Sequence, residues 1–318
     1  MHINKIFKSA VSVMFVMLLA VSAQAADLLK PYVLASSAAG DVAKITDEVK
    51  AKSTAAGFEV VGTYSPFDGA NILIVTNDEL KKAAASSERG GYLAPMRVTI
   101  TKQYGNGKGA AFNPADAQVQ VAFTNPVYWA AAYRVSEDVS DVKAKLAAAL
   151  GSKEEFGSFY DYKDGITADK LKGYHYTMMM EYFDDPSDLG KHDSHEEAVK
   201  AVEAGLAAHA GGTSQVYRID IPGTEETVFG VAMTDGCSGD ATTMKAVDQG
   251  PVHNTGYAPY EILVSGDKVE ALYARFRIAI AYLGLPMMSN PTGGTFMNIM
   301  CAPSAIEDAL MAAAGNKK

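Results

Sequence analysis

The residues with the most chemical potential in this chain are concentrated in its second half. The run Tyr174-His175-Tyr176-Thr177-Met178-Met179-Met180-Glu181-Tyr182 brings phenols, an imidazole and thioethers together in one short segment. Read as a strand, its period of two places Tyr174, Tyr176, Met178, Met180 and Tyr182 on one face and His175, Thr177, Met179 and Glu181 on the other. Met287-Met288, Met297, Met300 and Cys301 add further soft sulfur. Thioether and thiolate ligands select Cu(I), which makes His175, Met178 and Met180 candidate copper ligands. Methionine is equally an adaptable filler of cores and binding surfaces, so packing around a ligand pocket is the competing reading. In that reading Tyr174 and Tyr176 are ligand-binding walls.

A second concentration is His192-Asp193-Ser194-His195-Glu196. One helical turn separates His192 from His195, so both could approach a divalent ion with Asp193 or Glu196 assisting. The same segment also fits an ordinary helix start, with Ser194 as cap and acidic residues facing the helix dipole. His253 stands just before Gly256-Tyr257 and is a candidate cleft residue. Tyr128-Trp129 and Tyr133 follow Asn125-Pro126, and the first two are candidate floor residues of a pocket, although aromatic clusters pack cores as readily. Cys237, in Asp235-Gly236-Cys237-Ser238-Gly239-Asp240, sits at an expected strand-to-helix turn, where a thiol pKa can fall and reactivity rise. The chain has only two cysteines, Cys237 and Cys301, and in an oxidising compartment the alternative is a disulfide between them.

The chain contains no Gly-x-Ser-x-Gly, no zinc-protease signature and no Cys-x-x-Cys-His. The formal charge is -9. The first 25 residues read as a secretory signal: Lys5 and Lys8, an apolar stretch Val11–Val21, and Ala23-Gln24-Ala25 as the cleavage pattern. Its removal takes away two lysines and no acid, moving the charge from -9 to -11. Such a balance offers no electrostatic footprint for nucleic acid or for an anionic membrane surface. No later segment approaches the length of a membrane-spanning helix. The expected address is the periplasm, as a soluble protein.

The elements that must position these residues come in two similar sets. Gly91-Tyr92 leads into Ala94-Pro95 and an alternating run, and Gly256-Tyr257 leads into Ala258-Pro259 and another. Asn-Pro follows each by the same interval, as Asn125-Pro126 and Asn290-Pro291, and each half closes with an alanine-rich helix that ends at Gly151 or Gly315. Self-similarity at fixed spacing indicates a repeat. The boundaries it suggests are 26–151 for repeat one, 152–172 for a linker, and 173–318 for repeat two. Within repeat one the patterns predict strands near 30–36, 58–64, 71–76, 96–103 and 119–123, and helices after Asp41, after Asp78 and over 138–150. Repeat two is expected to have strands at 174–182, 215–221, 227–233, 260–264 and 277–283. Its helices are expected at 194–209, 240–247 and 304–314. This mixed order predicts an α+β fold of two similar sheet-plus-helix repeats, packed as an internal pseudo-dimer.

The helix end Ala55-Ala56-Gly57-Phe58, the helix after Asn77-Asp78, the Gly91-Tyr92 strand with Pro95 and the Val119–Pro126 segment resemble the domain-of-unknown-function family 302. The resemblance covers nearly all of repeat one and is weaker over repeat two. It implies small α+β units that form dimers, here joined covalently, and it implies no activity and no catalytic residues. The resulting expectation is a methionine-rich, exported binding or accessory protein, with a small molecule or a soft metal such as copper held at or near the cleft between repeats. Two alternatives stay open: an enzyme centred on Cys237 or on His192 and His195, and a structural envelope protein without a ligand.

Overall fold

A computed structural model of the protein describes residues 27–103, 117–250, 252–289 and 293–316. The signal-like segment 1–25, the loop 105–109 and Asn290-Pro291 lie outside the described residues. The first half opens with β1 (Leu28–Leu29) and β2 (Tyr32–Ala38). The Asp41 carboxylate then accepts from the Lys44 amide at 2.9 Å and caps α1 (Val42–Ala55). Next come β3 (Glu59–Tyr64), β4 (Ala70–Thr76) and α2 (Asp78–Ala84), whose cap is Asn77 rather than Asp78. A 3₁₀ turn at Gly90–Leu93 leads into β5 (Met96–Lys102), followed by β6 (Val119–Thr124). Helices α3 (Pro126–Ala132) and α4 (Ser140–Leu150) close the half. Pro126 takes the first helical position, where its missing N–H breaks no bond.

The segment read as a linker carries structure of its own: β7 (Glu154–Phe156), β8 (Ile166–Thr167) and α5 (Ala168–Lys172). β7 pairs with β2 at the edge of the first sheet, and β8 pairs with β1. The second half then runs β9 (Ser187–Lys191), α6 (His195–Ala207), β10 (Thr213–Ile221), β11 (Glu226–Met233) and α7 (Asp240–Val247). A 3₁₀ turn at Thr255–Tyr257 leads into β12 (Tyr260–Ser265), β13 (Lys268–Ala271), α8 (Ala274–Ala281) and α9 (Ala302–Ala313).

The fold is α+β. Sheet one has the order β3-β4-β5-β6-β2-β7 and sheet two the order β10-β11-β12-β13-β9. Apart from the added β7, the two orders match strand for strand. The irregularities match as well. Each edge strand of the first hairpin carries one extra residue, Val61 in β3 and Val216 in β10. Each strand that precedes the first helix carries another, Ala35 in β2 and Leu189 in β9. A bulge bends and re-aims a strand, so its repetition preserves the curvature of each sheet. Helices α1 and α4 pack together on the first half, as α6 and α9 do on the second, while β3 lies against β10.

Two expected strands are absent. Residues 174–182 form turns, with Met180 N–H bonded to the Thr177 carbonyl and Met179 at φ 66°. The first strand of the second half is β9 instead. Residues 277–283 lie mostly within helix α8, which is buried on nearly every side. Such a helix has no polar face, and its apolar run cannot be told from a buried strand by period alone. The repeated Asn-Pro interval also fails as a structural equivalence. The helix after β13 begins at Ala274, so Tyr273-Ala274 is the counterpart of Asn125-Pro126. The β5–β6 connection spans 103–118, whereas Gly266-Asp267 alone joins β12 to β13. A longer stretch between α8 and α9 compensates in length.

Candidate functional site

The surface between the sheets is built from polar strand positions. Arg97 on β5 pairs with Glu261 on β12, and Arg277 on α8 donates its Nε to the same carboxylate at 3.1 Å. Arg277 also donates to the Tyr257 carbonyl at 2.8 Å and lies 5.0 Å from the Trp129 ring centroid. All three charged groups are buried. Burial, and next the Arg277 charge, draw the Arg97 guanidinium below its ordinary pKa. The Glu226 carboxylate accepts from the Arg89 and Gly91 amides at 2.9 and 2.8 Å, and Arg89 Nε donates to Glu270 at 2.7 Å. Thr101 donates to Thr255 across the same surface at 2.8 Å. Side chains fill the space where the sequence suggested a ligand cleft.

Three of the expected ligand residues belong to this packed interior. Tyr128 donates its hydroxyl to the Ile280 carbonyl at 2.8 Å, and the Trp129 indole donates to the Pro31 carbonyl at 2.9 Å. His253 is buried, and its backbone exchanges two hydrogen bonds with the Gln120 side chain at 2.8 and 2.7 Å. Tyr128 and His253 bond across the two halves, and Trp129 meets the other half through Arg277. They do not line a cleft.

At the rim of the interface, Tyr64 of β3 donates to the Asp240 carboxylate at 2.8 Å, and the Met233 amide donates to the same oxygen at 3.0 Å. Asp240 is fully buried, and burial pushes its carboxyl up to about 7 against the opposing pull of those two donors. A cavity of about 280 Å³ opens beside this pair, lined by Phe67 and Asp68 from one half and Ala241 and Lys245 from the other.

A different cleft, of about 390 Å³, gathers Tyr160, Tyr162, Tyr174 and Tyr176 around the backbone of 284–287. The segment 157–159 is stitched to Leu283 by two backbone bonds, Phe159 N–H to Leu283 O at 2.8 Å and Leu283 N–H to Gly157 O at 3.2 Å. That pairing brings Tyr160 and Tyr162 alongside 284–287. Gly284 has φ +77°, and a Cβ there would meet the Phe159 carbonyl at 2.4 Å, so the close approach requires glycine. The Tyr162 and Tyr174 rings stand nearly perpendicular, 5.7 Å apart. Tyr176 donates its hydroxyl to the Leu285 carbonyl at 2.8 Å and packs on Phe296. Burial pushes the Tyr176 phenol up to about 12 and raises that of Tyr174, so both are neutral at ordinary pH. Asp161 is the acidic member of the lining, which contains no histidine, cysteine or basic residue. This cleft has the walls of a binding site and no nucleophile–base pair.

Tyr174 and Tyr176 are thus the expected residues that the fold does bring together. Tyr160, Asp161 and Tyr162 were hidden inside a presumed linker; the clustered aromatics of Phe159-Tyr160-Asp161-Tyr162 were their signal. The proposed metal residues are scattered by comparison. His175 contacts the Thr177 carbonyl through Nδ1 at 2.8 Å and stacks on Tyr182. Met178 is 77% exposed and Met180 half-buried. His195 places Nδ1 on the Gly266 carbonyl and Nε2 on the Thr227 hydroxyl, both at 3.1 Å, while Ser194 caps α6. His192 sits on the preceding loop, its amide bonded to Asp267. Among the described residues no three His, Cys, Asp or Glu side chains group to hold a metal ion. Cys237 is bonded to Cys301, with Cα atoms 5.8 Å apart, so it carries no thiol for nucleophilic or thiolate chemistry. No helix among the described residues is long and apolar enough to cross a membrane.

Compared with protein-family models, with curated proteins and with solved structures, the chain gives no match.

Proposed function

We propose that this chain is an exported binding or accessory protein that holds a small, partly apolar ligand in the tyrosine-lined cleft. The observation that carries the reading is the convergence of four tyrosines on one concave surface with an apolar rim. Met178, Met179, Met288, Met297 and Met300 are all exposed, and the first three belong to the segments that supply the lining residues Thr177, Met287 and Ser289. Clustered exposed apolar side chains mark ligand or partner surfaces. Export is supported by the signal-like start of the sequence, and the Cys237–Cys301 disulfide suits an oxidising compartment. The matching strand orders support a duplicated unit, and the resemblance to family 302 belongs to this proposal as its ancestry.

A ligand-observed NMR screen of small aromatic and apolar probes against the mature protein tests the reading. Hits should weaken in Tyr160→Ala, which removes a partly exposed wall without touching the core. Hits that ignore this substitution and Tyr176→Phe alike, or a complete lack of hits, would defeat it.

The exposed methionines favour a second reading, Cu(I) capture on the rim, because thioethers retain Cu(I) without deprotonation. Titration against a chromophoric Cu(I) chelator should then show stoichiometric uptake that a His175/Met178/Met180 triple alanine variant loses. Failure to compete with the chelator removes copper from consideration.

A further inference from the structure

Which ligand the cleft takes follows from the polarity of its lining, and this step rests on the cleft being the binding site. Tyr176 directs its hydroxyl proton at the Leu285 carbonyl, and Tyr160 directs its own at the Ser289 carbonyl, 3.5 Å away. Those two donors are turned to the protein, so Tyr160 and Tyr176 offer a ligand mainly ring surface. Asp161 supplies the lining's formal charge, and no lysine or arginine balances it there. The whole chain is acidic as well, at -9.

With four aromatic rings, one carboxylate and no basic side chain, the lining repels anions. It attracts a cation through the negative faces of the rings. The perpendicular Tyr162 and Tyr174 rings form two adjoining walls. A primary ammonium would lose tight hydration and find few aimed acceptors, because Asp161 is the sole carboxylate of the lining and stands exposed. A quaternary ammonium has no N–H to satisfy and spreads its charge over methyl groups that pack on aromatic rings. We infer that the cleft formed by Tyr160, Tyr162, Tyr174 and Tyr176 with Asp161 binds a quaternary ammonium group.

Calorimetric titration of the mature protein with choline and with its uncharged isostere 3,3-dimethyl-1-butanol tests this directly. Choline should bind saturably and about 5- to 30-fold more tightly than the isostere, the equivalent of a cation–ring attraction of about 1–2 kcal/mol. Tyr160→Ala and Asp161→Asn should each weaken choline by several-fold and leave the isostere nearly unchanged in Asp161→Asn. Equal binding of the two compounds would overturn the cationic assignment while leaving the cleft as an apolar site. Choline binding that ignores both substitutions would overturn it too, by placing the cation elsewhere. Absence of choline binding alongside aromatic hits from the NMR screen separates failure of this inference from failure of the cleft itself. Co-sedimentation with phosphatidylcholine vesicles, but not with phosphatidylglycerol vesicles, would assign the ammonium to a lipid headgroup. Choline binding without vesicle binding assigns it to a free solute.

Discussion

Arg97 and Glu261 occupy the same place in their respective sheets and are ion-paired to each other. Each is the second residue of its strand, β5 or β12, and each stands two residues after a proline, Pro95 or Pro259. In a symmetric pair of identical units this position would face its own copy, and like charges would repel. Here the two halves carry opposite charges at that position, so the pair attracts. The carboxylate is shared with Arg277, so its removal strands two buried guanidiniums. Glu261→Gln should lower unfolding stability by roughly 3–5 kcal/mol, the usual penalty for unpairing a buried charge. Urea unfolding followed by the single tryptophan, Trp129, measures it. A loss under about 1 kcal/mol would mean that water reaches the pair.

The two sheets approach each other closely at Gly62. A Cβ there would sit 2.6 Å from the Val216 carbonyl oxygen and 3.1 Å from Tyr217 Cβ, and backbone cannot move aside as a side-chain tip does. Gly62→Ala should therefore destabilise by about 1–3 kcal/mol through overpacking. Gly173→Ala is the control, since nothing lies within 4 Å of its added methyl. Equal denaturation midpoints for the two variants would show that β3 and β10 do not touch in solution.

Much of this architecture is legible in the residues. Gly91-Tyr92 and Gly256-Tyr257 mark the 3₁₀ turns that lead into the two central strands, because the following proline and alternating run can hardly be read otherwise. Ser194, Asp41 and Asp240 announce their helices through cap and dipole chemistry. The cleft was half legible. Tyr174 and Tyr176 stood out by composition, but their alternation suggested a strand where the chain turns at Thr177–Met180. Their partners Tyr160 and Tyr162 arrive through backbone pairing of 157–159 with Leu283, a long-range contact without local signature. The interior positions of Tyr128, Trp129 and His253 were equally invisible, since an aromatic that floors a pocket and one that fills a core have the same sequence.

The disulfide ties the turn before α7 to the start of α9 and closes a loop of 64 residues. On chain entropy alone such a loop is worth about 4 kcal/mol. The Cys237→Ala/Cys301→Ala double variant should lose a comparable amount, and reductant should destabilise the parent protein but not the variant. Equal sensitivity of both proteins to reductant would show that no bond forms. Binding in the tyrosine cleft should survive, because neither cysteine lines it.

Asp240 gives the fold a pH dependence of defined sign. Its carboxyl stands at about 7 in the folded chain against 3.8 as the ordinary value, so the fold favours the protonated acid. Between those two pH values the folded protein keeps a proton that the unfolded chain releases. Stability from this group is therefore complete below about pH 4 and is lost as pH rises through 7. The full difference is on the order of 4 kcal/mol. Tyr64 donates to one carboxylate oxygen, while Arg97 and Arg277 act at longer range to favour ionisation and limit the upward shift. Asp240→Asn mimics the protonated acid, keeps an acceptor for Tyr64 and Met233, and cannot ionise. Relative to the parent, this variant should gain stability as pH rises from about 4 to about 7 and level off above that. The general self-repulsion of an acidic chain acts on both proteins and cancels in the comparison. Parallel stability curves across that range would show that Asp240 ionises freely, and that water reaches the junction between β3 and α7.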